Sequence, residues 1–257
     1  METVTKCFKL TVEYDGTEYA GWQRQKDQAT IQGELEGAIQ TIVGSQVTVH
    51  GSGRTDAGVH ALGQVGHFHC ATRLGPQEIQ RALNALLPMD IAVLDCARVP
   101  DSFHARYDAA GKRYRYRIAN RAVRPAVGRR YAWHIRKPLN LPAMKAALSY
   151  LQGTHDFKAF EGAGSPRHHT VRTVYYAAID RDAHGTVTLD ICANGFLRFM
   201  VRNIVGTLAD VGLETLTSGG IKAILDSRDR SRAGATAPPH GLFLIEVDYA
   251  RPCGTPL

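Results

Sequence analysis

Cysteine is sparse in this chain: five thiols in 257 residues, at positions 7, 70, 96, 192 and 253, odd in number and without a CxxC pair. That scatter predicts neither a disulfide framework nor a cysteine zinc site, and its simplest setting is a reducing compartment. Nowhere do eighteen apolar residues run together, so no membrane-spanning helix is expected. Residues 1–14 carry acidic and polar side chains where a signal peptide needs a continuous apolar stretch, which makes the cytoplasm the expected location. Two nucleotide-binding signatures are missing as well: no GxxxxGKS/T lysine loop and no GxGxxG turn, which excludes a P-loop and a dinucleotide fingerprint.

Positive charge is what the chain has in excess. Lys and Arg number 31 against 24 Asp and Glu, a formal net charge of +7 at neutral pH. Such a balance attracts polyanions and speeds their encounter, but a nucleic-acid partner and a merely basic enzyme satisfy it equally. With 44% apolar and 21% charged residues the composition is globular rather than disordered or fibrous, and the length suits one large domain or two modest ones.

Hydrophobic periodicity predicts the elements. Residues 6–14 read as a strand ending at Asp15-Gly16, and Thr30 caps a helix whose apolar positions are Ile31, Leu35, Ala38, Ile39 and Ile42. Gln46–Val49 and Val65–His69 read as strands on either side of a glycine-rich loop, and Pro76 opens a second helix that Pro88 stops. The polar segment 99–111 is a plausible connector. Beyond it lie a strand at 114–118, a helix at 142–151, a strand pair at 171–180 and 186–192, and an amphipathic helix over 195–211. The expected fold class is α+β in two halves, 1–104 and 105–257, with no sequence repeat between them.

The stretch Gly51-Ser52-Gly53-Arg54-Thr55-Asp56-Ala57-Gly58-Val59-His60 concentrates three chemistries within seven residues: a guanidinium, a carboxylate and an imidazole. Its glycines permit positive φ or close approach to a ligand. The plainer reading is an Asx-turn with Arg54 at the surface. Extended to HGSGRTDAGVHALGQVGHF, however, the stretch resembles the catalytic signature of the TruA-type tRNA pseudouridine synthases. The resemblance continues through Ser102–Arg106, Lys112–Tyr116, Asn194–Gly206 and Ala237–Leu242, in the family's order and from one end of the chain to the other.

This resemblance implies a pseudouridine synthase fold: two α/β domains with mixed or antiparallel sheets around a central active-site cleft. It implies isomerisation of uridine to pseudouridine at positions 38, 39 and 40 in the anticodon stem-loop of tRNA, with no cofactor or metal, by a homodimer. The catalytic aspartate falls on Asp56, and Tyr114 matches the active-site tyrosine. Arg202 is the preferred basic partner of Asp56, with Arg198, four residues earlier, as its neighbour. Arg54 is assigned to phosphate or the displaced strand, and His60 either contacts RNA or braces the loop. In a strand, Tyr114, Tyr116 and Ile118 share one face and Arg113, Arg115 and Arg117 the other, so a core aromatic ladder and a basic face for phosphates are expected beside the catalytic role. Two other classes compete: an RNA-binding module on the same fold without catalysis, and a hydrolase using Asp56 with a histidine, which has no Ser or Cys elbow or second carboxylate beside the loop. His168-His169 beside Arg167 and Arg172 reads as a basic loop, and Asp226–Arg232 as a solvated turn.

Overall fold

The computed structural model describes residues 4–164 and 169–250. The chain divides into two units: residues up to Ala109 together with Leu244–Tyr249, and a second unit over Ala110–Phe243. Both have α+β content, the expected class.

In the first unit β1 (Thr5–Tyr14) pairs antiparallel with β3 (His60–Ala71) on one side and β4 (Ile91–Val99) on the other, and the short β2 (His50–Gly51) adds to β3. Alternation along β1 buries Phe8, Leu10, Val12 and Tyr14, and Phe8 stacks on its register partner Phe68 at 5.6 Å. The Thr30 hydroxyl accepts the Gly33 N–H and starts α1 (Ile31–Val43), which buries Ile31, Leu35, Ala38 and Ile39 and ends on Gly44 at φ 71°. The helix α2 (Pro76–Leu86) has proline in its first turn and Glu78 taking the Gly75 N–H at 2.7 Å, and packs Ile79 and Leu83 inward against α1 and β4. The expected strand at 46–49 does not form. Side chains of α1 take its backbone groups instead: Glu36 accepts the Val49 N–H at 3.0 Å and Gln32 donates to the Val49 carbonyl at 3.2 Å.

The second unit is a mixed sheet in the order β5 (Gly111–Asn120), β9 (Thr186–Ala193), β8 (Val171–Arg181), β7 (Gly153–Asp156), antiparallel throughout except that β6 (Trp133–Ile135) joins β5 in parallel. The helix α3 (Leu141–Ser149) packs against β8 and against α4 (Met200–Gly212), burying Met144, Leu148, Ile204 and Leu208. Sequence periodicity starts α4 at 195. The helix begins five residues later because Phe199 adopts φ 60°, a left-handed conformation that breaks helical geometry. The helix α5 (Gly220–Ser227) is an addition to the expected elements; residues 226–232 are mostly exposed, as expected, with Arg230 fastened to Asn203 at 3.0 Å and Thr236 at 3.2 Å. The strand β10 (Leu242–Asp248) runs from the second unit back into the first. Cys7, Cys70 and Cys96 are buried free thiols, whereas Cys192 is disulfide-bonded, a departure from the expectation of no bridge. Arg167, His168 and the tail from Arg251, including Cys253, lie outside the described residues. No helix among the described residues is long and apolar enough to cross a membrane.

Four imidazoles gather in the first unit. His67 of β3 is 3% exposed, stacks on His50 at 5.1 Å, meets His104 edge-on at 4.8 Å and His69 at 5.8 Å, and accepts the Ala105 N–H on Nδ1. Burial, reinforced by repulsion from the neighbouring histidines, pushes its pKa down to about 4. The unfolded chain therefore takes up a proton below its ordinary value of 6.5 that the native ring refuses. Stability should fall as the pH drops from there toward the native pKa, by on the order of 3 kcal/mol in total. His67→Asn keeps an acceptor near the Nδ1 position, and urea titrations should show a flatter pH dependence for it; an unchanged slope would contradict this account.

Gly206, in the interior of α4, gives a second expectation. Alanine in a helix interior ordinarily gains about 1 kcal/mol over glycine. Here a Cβ would fall inside the Ala235 carbonyl. The sign reverses, and Gly206→Ala should cost roughly 2 kcal/mol or more, read from denaturant midpoints at constant m.

Candidate functional site

In the first unit the loop carrying Arg54, Asp56 and His60 is held by buried polar groups from three other segments. The Tyr14 hydroxyl shares a hydrogen bond of 2.8 Å with the Thr55 hydroxyl. Gln64, fully buried on β3, donates to the Gly53 carbonyl at 3.1 Å and to Tyr14 at 3.4 Å, while its Oε1 accepts from the Ser52 hydroxyl at 2.7 Å. Burial pushes the Tyr14 phenol up to about 12 despite the hydrogen bonds from Thr55 and Gln64, so it remains a neutral hydroxyl at physiological pH. The Trp22 N–H donates to the Thr55 carbonyl at 3.1 Å, and its indole lies where a Cβ on Gly51 would be only 2.6 Å away. Gly58 has φ 74°, as its place in the turn requires.

Within this frame Asp56 is half-buried, and its backbone carbonyl closes a turn by accepting the Val59 N–H at 3.2 Å. Arg54 is exposed, with Nε donating to Gln23 Oε1 at 3.0 Å. His60 is 1% exposed; its Nδ1 lies 3.1 Å from the Gly16 amide and 3.0 Å from the Asp15 carboxylate. One nitrogen cannot accept from the first and donate to the second at once, so the tautomer selects between them. Either bond ties the loop to the end of β1, which fits the brace of the two roles the sequence left open.

In the second unit the strand pattern of β5 holds: Tyr114, Tyr116 and Ile118 are buried and the arginines alternate with them. Tyr114 packs edge-on against Phe196 at 5.1 Å, and the Tyr116 hydroxyl donates to the Pro238 carbonyl at 2.8 Å. Burial raises the Tyr116 phenol, with Arg202 opposing the shift. The other face is not an open basic stripe. Arg115 makes a two-pronged pair with Asp190, from Nε at 2.9 Å and Nη2 at 3.0 Å, a bond that raises its pKa, and Arg117 lies 4.9 Å over the Phe243 ring.

Arg198 and Arg202 do not share a helix face, because Arg198 precedes α4. They meet instead on Phe199, whose ring centre is 4.8 Å from the Arg198 guanidinium and 5.0 Å from that of Arg202. Arg198 also donates to the Ala163 carbonyl at 2.9 Å, and Arg202 Nε to the Ala237 carbonyl at 2.8 Å. Both guanidinium planes are thus oriented by the ring and a carbonyl. The left-handed Phe199 is the kind of backbone strain that persists only where surrounding contacts impose it.

Sequence reasoning missed Tyr14, Trp22, Gln64 and Phe199, which support the named residues rather than belong to the loop. Gln64 lies inside the stretch 50–68 that carries the family resemblance, and that was the signal available for it. Among the described residues no group of three or more His, Cys, Asp or Glu is arranged to hold a metal ion, the four imidazoles around His67 included.

A family model described as tRNA pseudouridine synthase matches residues 10–108 and 147–250. The chain is 49% identical to tRNA pseudouridine synthase A of Thermoanaerobacter sp. (strain X514) over 240 residues, 93% of this chain and 98% of that protein. It is 46% identical over 245 residues to the Moorella thermoacetica protein of the same name, covering 95% and 99% of the two chains. A solved archaeal box H/ACA Nop10–Cbf5 complex contains a chain that aligns with 79% of this one and 44% of its own length, at 14% identity and a TM-score of 0.35. The family model's match takes in residues of both units and the Asp56 loop, and the two relatives cover more than nine-tenths of the chain, so the chain belongs to the tRNA pseudouridine synthase family.

Proposed function

We propose that the protein converts uridine to pseudouridine in tRNA, at positions 38, 39 and 40 of the anticodon stem-loop, and that Asp56 is its catalytic residue. The observation carrying this reading is the half-buried Asp56 on a loop fixed by Tyr14, Gln64, Trp22 and His60, within a chain nearly half identical to synthases over almost its full length. The isomerisation breaks the N1–C1′ bond, turns the base and joins C5 to C1′. The proton leaves C5 and one is gained at N1, so atoms balance and no electrons are exchanged. A carboxylate beside the anomeric carbon serves this as nucleophile or as base, the two roles carboxylates play in glycosidic chemistry.

The remaining roles follow from side-chain chemistry. Arg202, preset by Phe199 and the Ala237 carbonyl, supplies the cation that keeps Asp56 ionised, and Arg198 binds substrate beside it. Tyr114 packs against the flipped base, Arg54 grips a phosphate or the displaced strand, and His60 positions the loop. Breadth among tRNAs is consistent with reading phosphates and shape, which differ little from one tRNA to another. The acting form is proposed to be a cytoplasmic homodimer without a cofactor.

The test is direct. Purified protein in EDTA is incubated with unmodified tRNA, and pseudouridine is mapped site by site. Wild type should modify 38–40, and Asp56→Ala should bind the same RNA and form none. Binding without modification by both proteins would favour the non-catalytic module. Arg202→Lys keeps the charge but loses the planar contact with Phe199, so its single-turnover rate should fall by roughly tenfold to a hundredfold with RNA affinity nearly unchanged.

A further inference from the structure

A strongly basic segment of the chain has no part in the chemistry above. Residues 121–137 contain Arg121, Arg124, Arg129, Arg130, Arg136 and Lys137 and no Asp or Glu. They form the crossover from β5 to its parallel neighbour β6, inside the second unit. The crossover is anchored: Pro125 is buried, the Tyr131 N–H donates to the Gly128 carbonyl at 2.9 Å, and His134 Nε2 donates to the Arg121 carbonyl at 2.8 Å. The segment lines an open cavity of about 310 Å³, with Arg124, Arg129, Trp133 and His134 on its wall together with His240.

Three features of that cavity point to one ligand chemistry. Its volume is at the small end for ligand sites, which suits one small group rather than an extended ligand. Arg124 and Arg129 are exposed and take part in no ion pair among the described residues, so they retain their charge for an anion. Trp133 is half-buried and meets Tyr116 edge-on at 6.4 Å, so the cavity wall offers an indole on which a base can stack. Two of the three arginines that the β5 pattern offered to phosphates differ from these: Arg115 is paired with Asp190 and Arg117 covers Phe243.

We propose that this cavity is an accessory nucleotide subsite for the RNA substrate, in which Trp133 stacks an unpaired base and Arg124 and Arg129 hold its phosphate. The inference rests on the reading of the protein as a tRNA-modifying enzyme, and it concerns a nucleotide other than the uridine that reacts. It gives the enzyme a grip on single-stranded RNA that depends on backbone and stacking rather than on base identity.

The experiment compares full-length wild type, Arg124→Ala/Arg129→Ala and, as a control of equal charge loss on the same segment, Arg136→Ala/Lys137→Ala, titrated with unmodified tRNA over a series of salt concentrations. The cavity pair should raise Kd about tenfold or more and lower the salt slope by roughly 0.7, the loss of one single-strand phosphate contact. The control pair should raise Kd by less than about threefold. Saturating tRNA should quench the tryptophan fluorescence of wild type and not that of Trp133→Phe, which leaves buried Trp22 as the remaining indole. Equal losses in the two pairs, or a quench that persists in Trp133→Phe, would overturn the subsite. Pseudouridine mapping on the same wild-type sample separates the two readings: absent product with the predicted binding losses defeats the catalytic assignment alone, and product without those losses defeats the subsite alone.

Discussion

The buried amide of Gln64 is the contact on which the account of this protein depends. A carboxamide shut away from water has to satisfy its donors and acceptor within the protein or cost several kcal/mol. Gln64 does so by reaching Gly53, Ser52 and Tyr14, which are respectively the loop before Asp56, its entrance, and the end of β1. Thr55 closes the circuit through Tyr14. Because each member would be left unpaired by a shift of the others, the network gives the loop one arrangement rather than several. The backbone that carries Asp56, the proposed catalytic residue, is thereby set in advance, which is what electrostatic preorganisation requires of a catalytic group.

The second unit solves a similar problem with different chemistry. Arginine is flexible, and a guanidinium assigned to a carboxylate or phosphate has to lose that freedom before the reaction rather than during it. Phe199 provides the surface for both Arg198 and Arg202, at the cost of a left-handed backbone just before α4. Carbonyls of Ala163 and Ala237 fix the remaining degrees of freedom. Elsewhere in the same unit an arginine is silenced by its surroundings: Asp190 claims Arg115, so net charge alone is a poor guide to which cations meet RNA.

Local physics made much of this legible in the sequence. The caps at Thr30 and Pro76, the helical spacing of Ile31, Leu35 and Ile39, and the alternation through Tyr114, Tyr116 and Ile118 are each decided within a few residues. The motifs from His50 to Phe68 and from Asn194 to Gly206 carried the family. What escaped was decided at a distance. Residues 46–49 have strand-like composition, but Glu36 and Gln32 of α1 take up the backbone groups of Val49 that a ladder would need. The bracing of Thr55 by Tyr14 spans 41 residues and the pairing of Arg115 with Asp190 spans 75, and no periodicity encodes such pairs. Arg198 and Arg202 have helical spacing, yet the positive φ of Phe199, a tertiary outcome, separates them into different local structures.

The central claim is that the network around Gln64 positions Asp56 for chemistry. Gln64→Leu keeps the approximate volume and removes every polar contact of the side chain, and its single-turnover rate of pseudouridine formation, measured at saturating tRNA alongside Kd, tests that claim most directly. The account predicts a rate lowered by about a hundredfold in a protein that remains folded and binds tRNA within about twofold of wild type. A Gln64→Leu protein that modifies tRNA at the wild-type rate would contradict it.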